Sequence, residues 1–456
     1  MTLRRGLTAF LGAVLLLVSP VASRAQEMTD RPLPGSQQLF IEPLSLPSAD
    51  SGKARLDIAY RIASPFFVPV RVTEPFGSGK FRQRGEFHLT LFDSTRTSVA
   101  QRTRLVDIAS DSAEADPKKW IGGVFTFSVP PGPYTALAEL VDNESRRRLL
   151  DGSVRIRTEE FTAGSGAIST PIFTLPVDSS SDNRRLPIQN FAGGILFGST
   201  GGLYLAFAGP DSAGLPVELR YEFAVRLEEG DDRAGVILSD TLTGLAATDD
   251  LPLVPAADAD SAWYSLGLSA QRHVSGIYVK LPLERLPLRP YLLRATVRQG
   301  GWERSLTHRF RLVWPDMPVS LRDVEFALEA LRYITSRRVI DSLSSGTLEE
   351  TMSNLEAFWK ERDRTPATAF NEVMAEYYRR VDYAMRNFGT LRNPDGFASD
   401  RGRIYVVYGP PTQTSRALDP REGFRETWSY GHLKKTFTFV DRTKTGNYVL
   451  LSTENP

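Results

Sequence analysis

The feature that most constrains the fold is an alternation of apolar and polar residues that recurs through the chain up to about residue 313. In the segment ARLDIAYRIA, every second residue from Leu56 to Ile62 is apolar and lies on one side of an extended chain. A period of two residues is typical of a half-buried β-strand. The same pattern returns in EFHLTLFD and GGVFTFSV. We therefore expect a multidomain, mainly β protein.

Turn signals between the strand-like segments indicate how the domains are divided. Short runs such as Pro130-Pro131-Gly132 separate neighbouring segments, and strands at this spacing are typical of an antiparallel β-sandwich. A polar, turn-rich stretch over residues 161–189 predicts a linker. We therefore expect two tandem antiparallel β-sandwich domains of the immunoglobulin-like (Ig-like) kind, at residues 51–160 and 190–315.

The two expected β domains share a local pattern. Pro133-Tyr134 and Pro290-Tyr291 each follow a strand that ends in prolines, and each opens a new alternating strand. Two copies of one sandwich topology explain this pattern if each tyrosine joins a corner between two sheets. The alternative is that Pro-Tyr simply starts both strands.

Beyond residue 318 the apolar period changes to that of a helix. The pattern predicts three helices: one after Ser320, one opened by the capping-box pair Thr347 and Glu350, and one from Pro366 to Gly389. Strand patterns then close the chain at residues 403–408, 426–430 with 436–440, and 448–451. We therefore expect an α+β module at residues 318–456, with three helices followed by a small antiparallel sheet.

The N-terminus has the layout of a secretory signal. Arg4 and Arg5 precede an apolar run, and the small residues around Ala25 suit a signal peptidase. A membrane anchor is the alternative, but the run is shorter than the ~20 residues that a span needs. We expect a cleaved signal at residues 1–25, a flexible segment at 26–50, and an exported mature protein, periplasmic or secreted, with no membrane span.

Composition excludes several classes of function. The chain has 55 lysines and arginines against 54 acidic residues, and three of those arginines lie in the predicted signal, so no basic excess predicts nucleic-acid binding. The chain has no cysteine, which excludes a thiol nucleophile and cysteine metal ligands. The four histidines (His88, His273, His308 and His432) lack metal-ligand spacing. We expect no metal and no cofactor.

The C-terminal motif DGFASDRGRIYVVYGPP, residues 395–411, resembles the GWxTD domain of exported bacterial proteins. The resemblance extends from about Leu355 to the C-terminus and rests on matches in one order: Trp359, Asp363, Pro366, Asn371, Tyr378, Arg379-Arg380-Val381, Asp400-Arg401-Gly402, Gly409-Pro410-Pro411 and Trp428. It implies an exported protein with β-rich regions before the domain, and it implies no particular activity. Phe397 and Ser399 stand where the naming motif has tryptophan and threonine.

One interpretation makes this motif a structural corner. Gly396 would take a positive φ in a turn, Phe397 would pack on the third helix, and Ser399 and Asp400 would accept backbone N–H bonds. Arg401 or Arg403 would neutralise Asp400. Gly402 would allow close backbone approach, and Gly409-Pro410-Pro411 would end a strand.

The other interpretation makes the motif a polar ligand pocket around Asp400. Its lining would be Arg379, Arg380, Asp400, Arg401, Arg403, Tyr405, Tyr408 and Glu426. Arginine and tyrosine suit a carboxylate, a phosphate or a sugar. No histidine lies near in sequence to form a nucleophile–base pair. We therefore expect a non-catalytic scaffold or binding protein that contacts envelope proteins or a polysaccharide; the alternative is a small-ligand receptor or an enzyme.

Overall fold

The computed structural model describes residues 38–76, 79–116, 119–163, 165–176, 185–189, 194–209, 215–225, 235–258, 261–268, 273–314, 316–390, 394–419 and 423–455. The predicted signal peptide and residues 26–37 lie outside the described residues. The described chain forms two compact units. One is the β unit, Gly35–Asp316 with Arg364–Asn371, and the other is the C-terminal unit, Met317–Asp363 with Glu372–Pro456.

The β unit contains nineteen strands among its described residues. They are β1 (Leu39–Leu46), β2 (Ala54–Ala63), β3 (Val70–Phe76), β4 (Gly79–Phe92), β5 (Ser98–Ser110), β6 (Trp120–Val129), β7 (Gly132–Asp142), β8 (Arg148–Thr158), β9 (Ile172–Thr174), β10 (Arg185–Ile188), β11 (Ile195–Leu196), β12 (Gly201–Ala208), β13 (Val217–Val225), β14 (Gly235–Leu245), β15 (Asp250–Ala257), β16 (Ala262–Leu268), β17 (Val274–Leu281), β18 (Pro290–Gln299) and β19 (Trp302–Val313).

These strands form four sheets, and the pairings are antiparallel except between β11 and β19. The first half contains the sheet β1-β2-β6 and the sheet β3-β4-β7-β8, in which β5 also pairs with β4. The second half contains the sheets β15-β16-β10-β9-β12-β17 and β11-β19-β18-β13-β14. The expected mainly β architecture with several antiparallel sheets is therefore confirmed for the described residues.

Strand alternation builds the hydrophobic cores. In β7 the residues Tyr134, Ala136, Ala138 and Leu140 are buried, and the residues between them are half-buried or exposed. They join buried residues of β2 and β4 in one core, and β12, β13, β17 and β18 supply most of a second. Fully burying a large aliphatic or aromatic side chain contributes roughly 1.5–3 kcal/mol, so these two cores hold their sheets together.

A third core joins the two halves of the β unit. Leu44 and Ala59 pack with residues of the six-stranded sheet, among them Tyr204 and Tyr264. The Tyr264 hydroxyl donates to Asp57 Oδ2 at 3.0 Å. Because Asp57 is fully buried and also binds the Arg55 guanidinium, its charge is compensated within this core.

Strand pairing repeats between the two halves. In the first half β4 pairs with β5 and β7, and β7 pairs with β8. In the second half β13 pairs with β14 and β18, and β18 pairs with β19. The Tyr134 hydroxyl donates to the carbonyl of Pro130 at 2.6 Å, and the Tyr291 hydroxyl donates to the carbonyl of Pro287 at 2.8 Å. The Pro-Tyr pattern therefore has the same hydrogen bond in both halves.

Two segments that we expected to be irregular contain strands. Residues 172–174 and 185–188 of the predicted linker form β9 and β10, and Ile172 and Phe173 are fully buried. Residues 39–46 of the predicted flexible segment form β1, which pairs with β2. Strands β9 and β10 pair with β12 and β16, which are distant in sequence, whereas β1 pairs with the next strand, β2. A polar neighbourhood did not prevent strand formation in either segment.

The C-terminal unit has five α-helices and a four-stranded antiparallel sheet among its described residues. The helices are α1 (Val324–Ala330), α2 (Arg337–Leu343), α3 (Leu348–Lys360), α4 (Glu372–Phe388) and α5 (Asp400–Tyr408). The strands are β20 (Gln413–Asp419), β21 (Gly423–Tyr430), β22 (Lys435–Asp441) and β23 (Val449–Glu454), which pair in this order.

This unit corrects several predictions. The expected strand at residues 403–408 is helix α5, the expectation of three helices misses α2 and α5, and the expectation of the sheet misses β20. Helix α1 starts after Asp323, which accepts the N–H groups of Glu325 and Phe326, rather than after Ser320. The capping box of Thr347 and Glu350 is present as predicted.

No helix in the described parts of the chain combines the length and the apolar character that crossing a bilayer demands.

Candidate functional site

Helix α5 begins at a serine cap. The Ser399 hydroxyl accepts the N–H of Gly402 at 3.0 Å and donates to the carbonyl of Gly396 at 2.7 Å. This single side chain therefore closes the helix start and the preceding turn together. The cap explains why an Ile-, Val- and Tyr-rich segment that is typical of a strand is helical here.

Asp400, the first residue of α5, binds the last strand. Its Oδ2 accepts the backbone N–H of Leu450 at 2.8 Å. Its Oδ1 lies 3.5 Å from Arg403 Nη2, so Arg403 is the arginine that neutralises it. The expectation that Asp400 accepts a backbone N–H bond is thus met, with the donor in β23 rather than in the loop.

Arg401 is the buried cation of the motif, with 10% of its side chain exposed. Its Nη1 donates to Glu426 Oε2 and its Nη2 donates to the Gly446 carbonyl, both at 3.2 Å. The Tyr448 ring lies 4.1 Å from the guanidinium carbon. Burial lowers the pKa of Arg401, and the Glu426 carboxylate acts in the opposite direction.

Glu426, a buried residue of β21, accepts hydrogen bonds from several donors. Its Oε1 accepts the indole N–H of Trp428 at 2.8 Å, and its Oε2 lies 3.4 Å from Arg416 Nε. Only 4% of the Glu426 side chain is exposed. A buried carboxylate needs such partners, because leaving it unpaired costs several kcal/mol, on the order of the penalty for a buried ion.

Two glycines of the motif permit close backbone contacts. A Cβ on Gly396 would clash with the Ala384 carbonyl of α4, and a Cβ on Gly402 would clash with the Gly396 carbonyl. The expectation for Gly402 is met. Gly396 does not have the positive φ that we expected, and its lack of a side chain serves the contact with α4 instead.

Phe397 is buried as expected, with 1% of the residue exposed. Its ring meets those of Phe326 in α1 and Tyr333 edge-on, and the Arg332 guanidinium carbon lies 4.4 Å from the ring centroid. The Tyr333 hydroxyl donates to the Phe397 carbonyl at 2.8 Å. The phenylalanine therefore joins the motif to α1 within a core that also contains buried residues of α4, the third predicted helix.

Gly409 ends α5 with a φ of 80°, and its N–H donates to the Tyr405 carbonyl at 2.7 Å. The Tyr430 hydroxyl donates to the Gly409 carbonyl at 2.9 Å. Any side chain at Gly409 would also meet the Arg380 guanidinium. Gly409 is thus a helix cap rather than a strand stop, and Pro410 and Pro411 follow the cap.

The structure distributes the predicted site residues over separate contacts. Arg401, Glu426 and Trp428 lie together inside the unit. Arg380 bonds Glu376 one turn away and lies against Gly409. Of the other predicted site residues, Arg379 is exposed, and the ring of Tyr408 packs on those of Tyr430 and Phe437. Asp400, Arg401 and Arg380 therefore face different partners in the described contacts.

Sequence reasoning missed Asp382 on α4. Its carboxylate accepts the N–H groups of Val319 and Ser320, at 2.6 and 2.9 Å. Four residues earlier, the Tyr378 hydroxyl donates to the Ala327 carbonyl at 2.9 Å. The available signal was an acidic residue one helical turn after Tyr378, which is buried on the same face of α4.

The described residues contain no group of three or more histidine, aspartate or glutamate side chains that could hold a metal ion. The charged side chains Asp400 and Arg401 of the motif bond helix α5 to β23 and to β21.

Fold and site together define a mainly β protein with a C-terminal α+β unit that is organised around a buried arginine–glutamate pair. Residues 307–455 match the GWxTD domain family, so the chain carries a GWxTD domain at its C-terminal end. No curated protein matches the chain.

Likenesses to solved structures are weak. The ICAM-5 D1–D4 ectodomain fragment shows 16% identity and a TM-score of 0.14, with 60% of this chain and 54% of that chain covered. The Parabacteroides merdae β-glucuronidase shows 9% identity and a TM-score of 0.16, with 59% and 25% covered. A chicken TCR structure shows 8% identity and a TM-score of 0.17, with 60% and 99% covered. The chain thus spans about half of the first of these and a quarter of the second, and such TM-scores define no common fold.

Proposed function

We propose that this protein is a non-catalytic binding or scaffold protein of the cell envelope. The proposal rests on one observation, which is that the charged residues Asp400 and Arg401 of the motif bond groups within the protein. Arg401 bonds Glu426 and a backbone carbonyl, and Asp400 bonds a strand amide. Groups committed to such contacts stabilise a corner, whereas a catalytic or ligand-binding group needs an accessible polar atom.

We propose further that the two halves of the β unit are tandem Ig-like sandwiches that present binding surfaces. The repeated strand pairing and the shared tyrosine hydrogen bond support this proposal. Sandwich domains offer sheet edges and end loops to partners. The partners would be other envelope proteins or a polysaccharide.

Export is part of the same proposal, and residues 1–25 support it. Expression of the full chain in a bacterial host, followed by fractionation and N-terminal sequencing, tests it. The expected result is a mature chain that begins at Gln26 in the periplasm or the medium. Retention of the full chain in the cytoplasm would contradict export.

Binding is tested with the purified mature chain. It would be crosslinked in the envelope fraction, and it would also be incubated with peptide and glycan libraries under turnover conditions. We expect crosslinked partners and unchanged libraries. Turnover of a library member without any crosslinked partner would overturn the non-catalytic proposal.

A further inference from the structure

We propose that strand β20 is a docking edge for an extended peptide segment that carries an acidic side chain and joins the C-terminal sheet as a fifth strand. This inference rests on the proposed binding function and names the surface and the chemistry of the partner.

The two edges of the C-terminal sheet differ in how they are covered. At the β23 edge, Asp400 accepts the N–H of Leu450, and Arg401 donates to the carbonyl of Gly446 just before the strand. At the other edge β20 pairs with β21, and residues 412–418 are all exposed. An edge strand directs alternate N–H and C=O groups away from its sheet, and such groups pair readily with another extended chain. Edge β20 is therefore available for strand addition.

Side chains on the edge add specificity to these backbone groups. The register pairs Arg416 with Glu426 and Leu418 with Phe424, so these four side chains share one face of the sheet. Leu418 is 60% exposed and Phe424 is 42% exposed. An apolar side chain of an added strand would bury surface against this pair.

The charged groups near Arg416 determine which type of side chain the partner would place beside this apolar contact. The single carboxylate of Glu426 faces two guanidinium groups, those of Arg401 and Arg416. Arg401 is buried, whereas 75% of the Arg416 side chain is exposed. On this face of the sheet the three groups carry a surplus of one positive charge. An aspartate or glutamate on the added strand would complement it, because guanidinium and carboxylate groups form paired hydrogen bonds.

The same charge disfavours a second copy of this chain as the occupant. Antiparallel pairing of β20 with β20 of a second copy, centred on Arg416, would place two Arg416 side chains directly opposite each other. Like charges that face each other across a strand pair are destabilising. The acidic peptide is thus the occupant that the edge favours.

The experiment uses the full mature chain and a fluorescent peptide in which valine and threonine alternate and a central glutamate replaces one valine. Fluorescence anisotropy measures its affinity, and hydrogen exchange locates it. A matched peptide has lysine in place of the glutamate, and a third peptide keeps the glutamate but has N-methylated amides. The protein variants are Arg416→Glu and, as a control on another surface, Arg337→Glu, whose site is an exposed pair with Asp341.

We expect the glutamate peptide to bind at least about tenfold more tightly than the other two peptides, with slower exchange at residues 413–418. Arg416→Glu should reverse the preference between the glutamate and lysine peptides, and Arg337→Glu should leave it unchanged. Equal binding by all three peptides, or no binding, would overturn the docking edge. If the chain without peptide forms dimers, and the amides of residues 413–418 are protected in those dimers, the occupant of the edge is a second copy and the peptide proposal is overturned. If envelope partners still crosslink to Arg416→Glu as well as to the unaltered chain, the edge is wrong and the binding function stands.

Discussion

Asp400 Oδ2 accepts the backbone N–H of Leu450 at 2.8 Å, so the acid of the motif fastens the start of α5 to the last strand of the chain. These two residues are fifty positions apart. A carboxylate at a helix N-terminus is also favoured by the helix dipole. The Asp400 side chain therefore stabilises both the start of α5 and its attachment to β23. This double contact gives the acidic residue of the motif a structural role.

Replacing Asp400 with alanine should lower the free energy of unfolding by about 1–2 kcal/mol, because it leaves the Leu450 N–H without its acceptor and removes a first-turn charge. Asp400→Asn is the matched control, since the amide oxygen can still accept the bond, and it should cost less. Urea unfolding of the mature chain measures both. Unchanged stability combined with lost binding of a small ligand would favour the pocket interpretation.

The buried pair of Arg401 and Glu426 predicts unequal effects of substitutions at Glu426 and at Arg416, the exposed arginine that Glu426 also contacts. Glu426→Leu leaves a buried guanidinium without its counter-ion and should cost about 3–5 kcal/mol. Arg416→Ala removes the exposed partner of the same carboxylate and should cost less than about 1 kcal/mol. Thermal and urea unfolding compare them. Similar losses in the two variants would mean that the ion pair is not the buried contact that we describe.

The tyrosines at the start of β7 and β18 should contribute alike. Tyr134→Phe and Tyr291→Phe keep the ring and remove the hydrogen bond to the carbonyl four residues upstream, so each should cost about 1 kcal/mol. Because the two tyrosines lie in different cores, the losses should add in the double variant. Calorimetry of the three variants tests this. A loss at one tyrosine without a loss at the other would show that the halves do not use the bond equally.

The Tyr291 hydroxyl also titrates unusually, because burial raises its pKa to about 12. Since the pKa in the unfolded chain is about 10, folding keeps the proton on, and the stability contribution is fully present below pH 10. It is lost as the pH rises from about 10 to about 12. Tyr291→Phe removes this group, and its unfolding free energy should fall less steeply in that window. An identical alkaline slope in the variant would contradict the assignment.

Gly402 should tolerate no side chain. A Cβ there would clash with the Gly396 carbonyl, so Gly402→Ala should cost about 1–3 kcal/mol through backbone displacement. Gly431→Ala is the matched control in the same unit, because nothing lies within 4 Å of the Cβ position at Gly431. Urea unfolding of both variants measures the difference. A neutral Gly402→Ala would show that α5 and the preceding turn can move apart.

The sequence predicted correctly those elements that are stabilised by interactions between residues close together in the chain. The alternation in β7 reflects burial of one strand face, and the capping box at Thr347 needs only Glu350. Segment 403–408 was predicted wrongly because an arginine followed by Ile, Tyr and Val residues suits a strand by propensity. The local Ser399 cap and the tertiary stacking of Tyr405 on Tyr383 at 4.3 Å together overrode that propensity.

The roles of the motif residues show the same division. Ser399 as an acceptor of a backbone N–H, Gly402 as a point of close approach and Phe397 as a buried ring all follow from the properties of these side chains. The partners of Asp400 and Arg401 do not, since Leu450 and Gly446 are some fifty and forty-five positions away in the chain.

The sequence by itself determined that this protein is mainly β, that an α+β unit follows, and which motif marks that unit. It could do so because burial of one face imposes a period of two on strands and of 3.6 on helices. Only the tertiary structure decided that α5 is a helix, that residues 172–174 complete a sheet, and that Arg401 meets Glu426. Each of these depends on a partner far along the chain, and a one-dimensional pattern does not encode which distant residues meet.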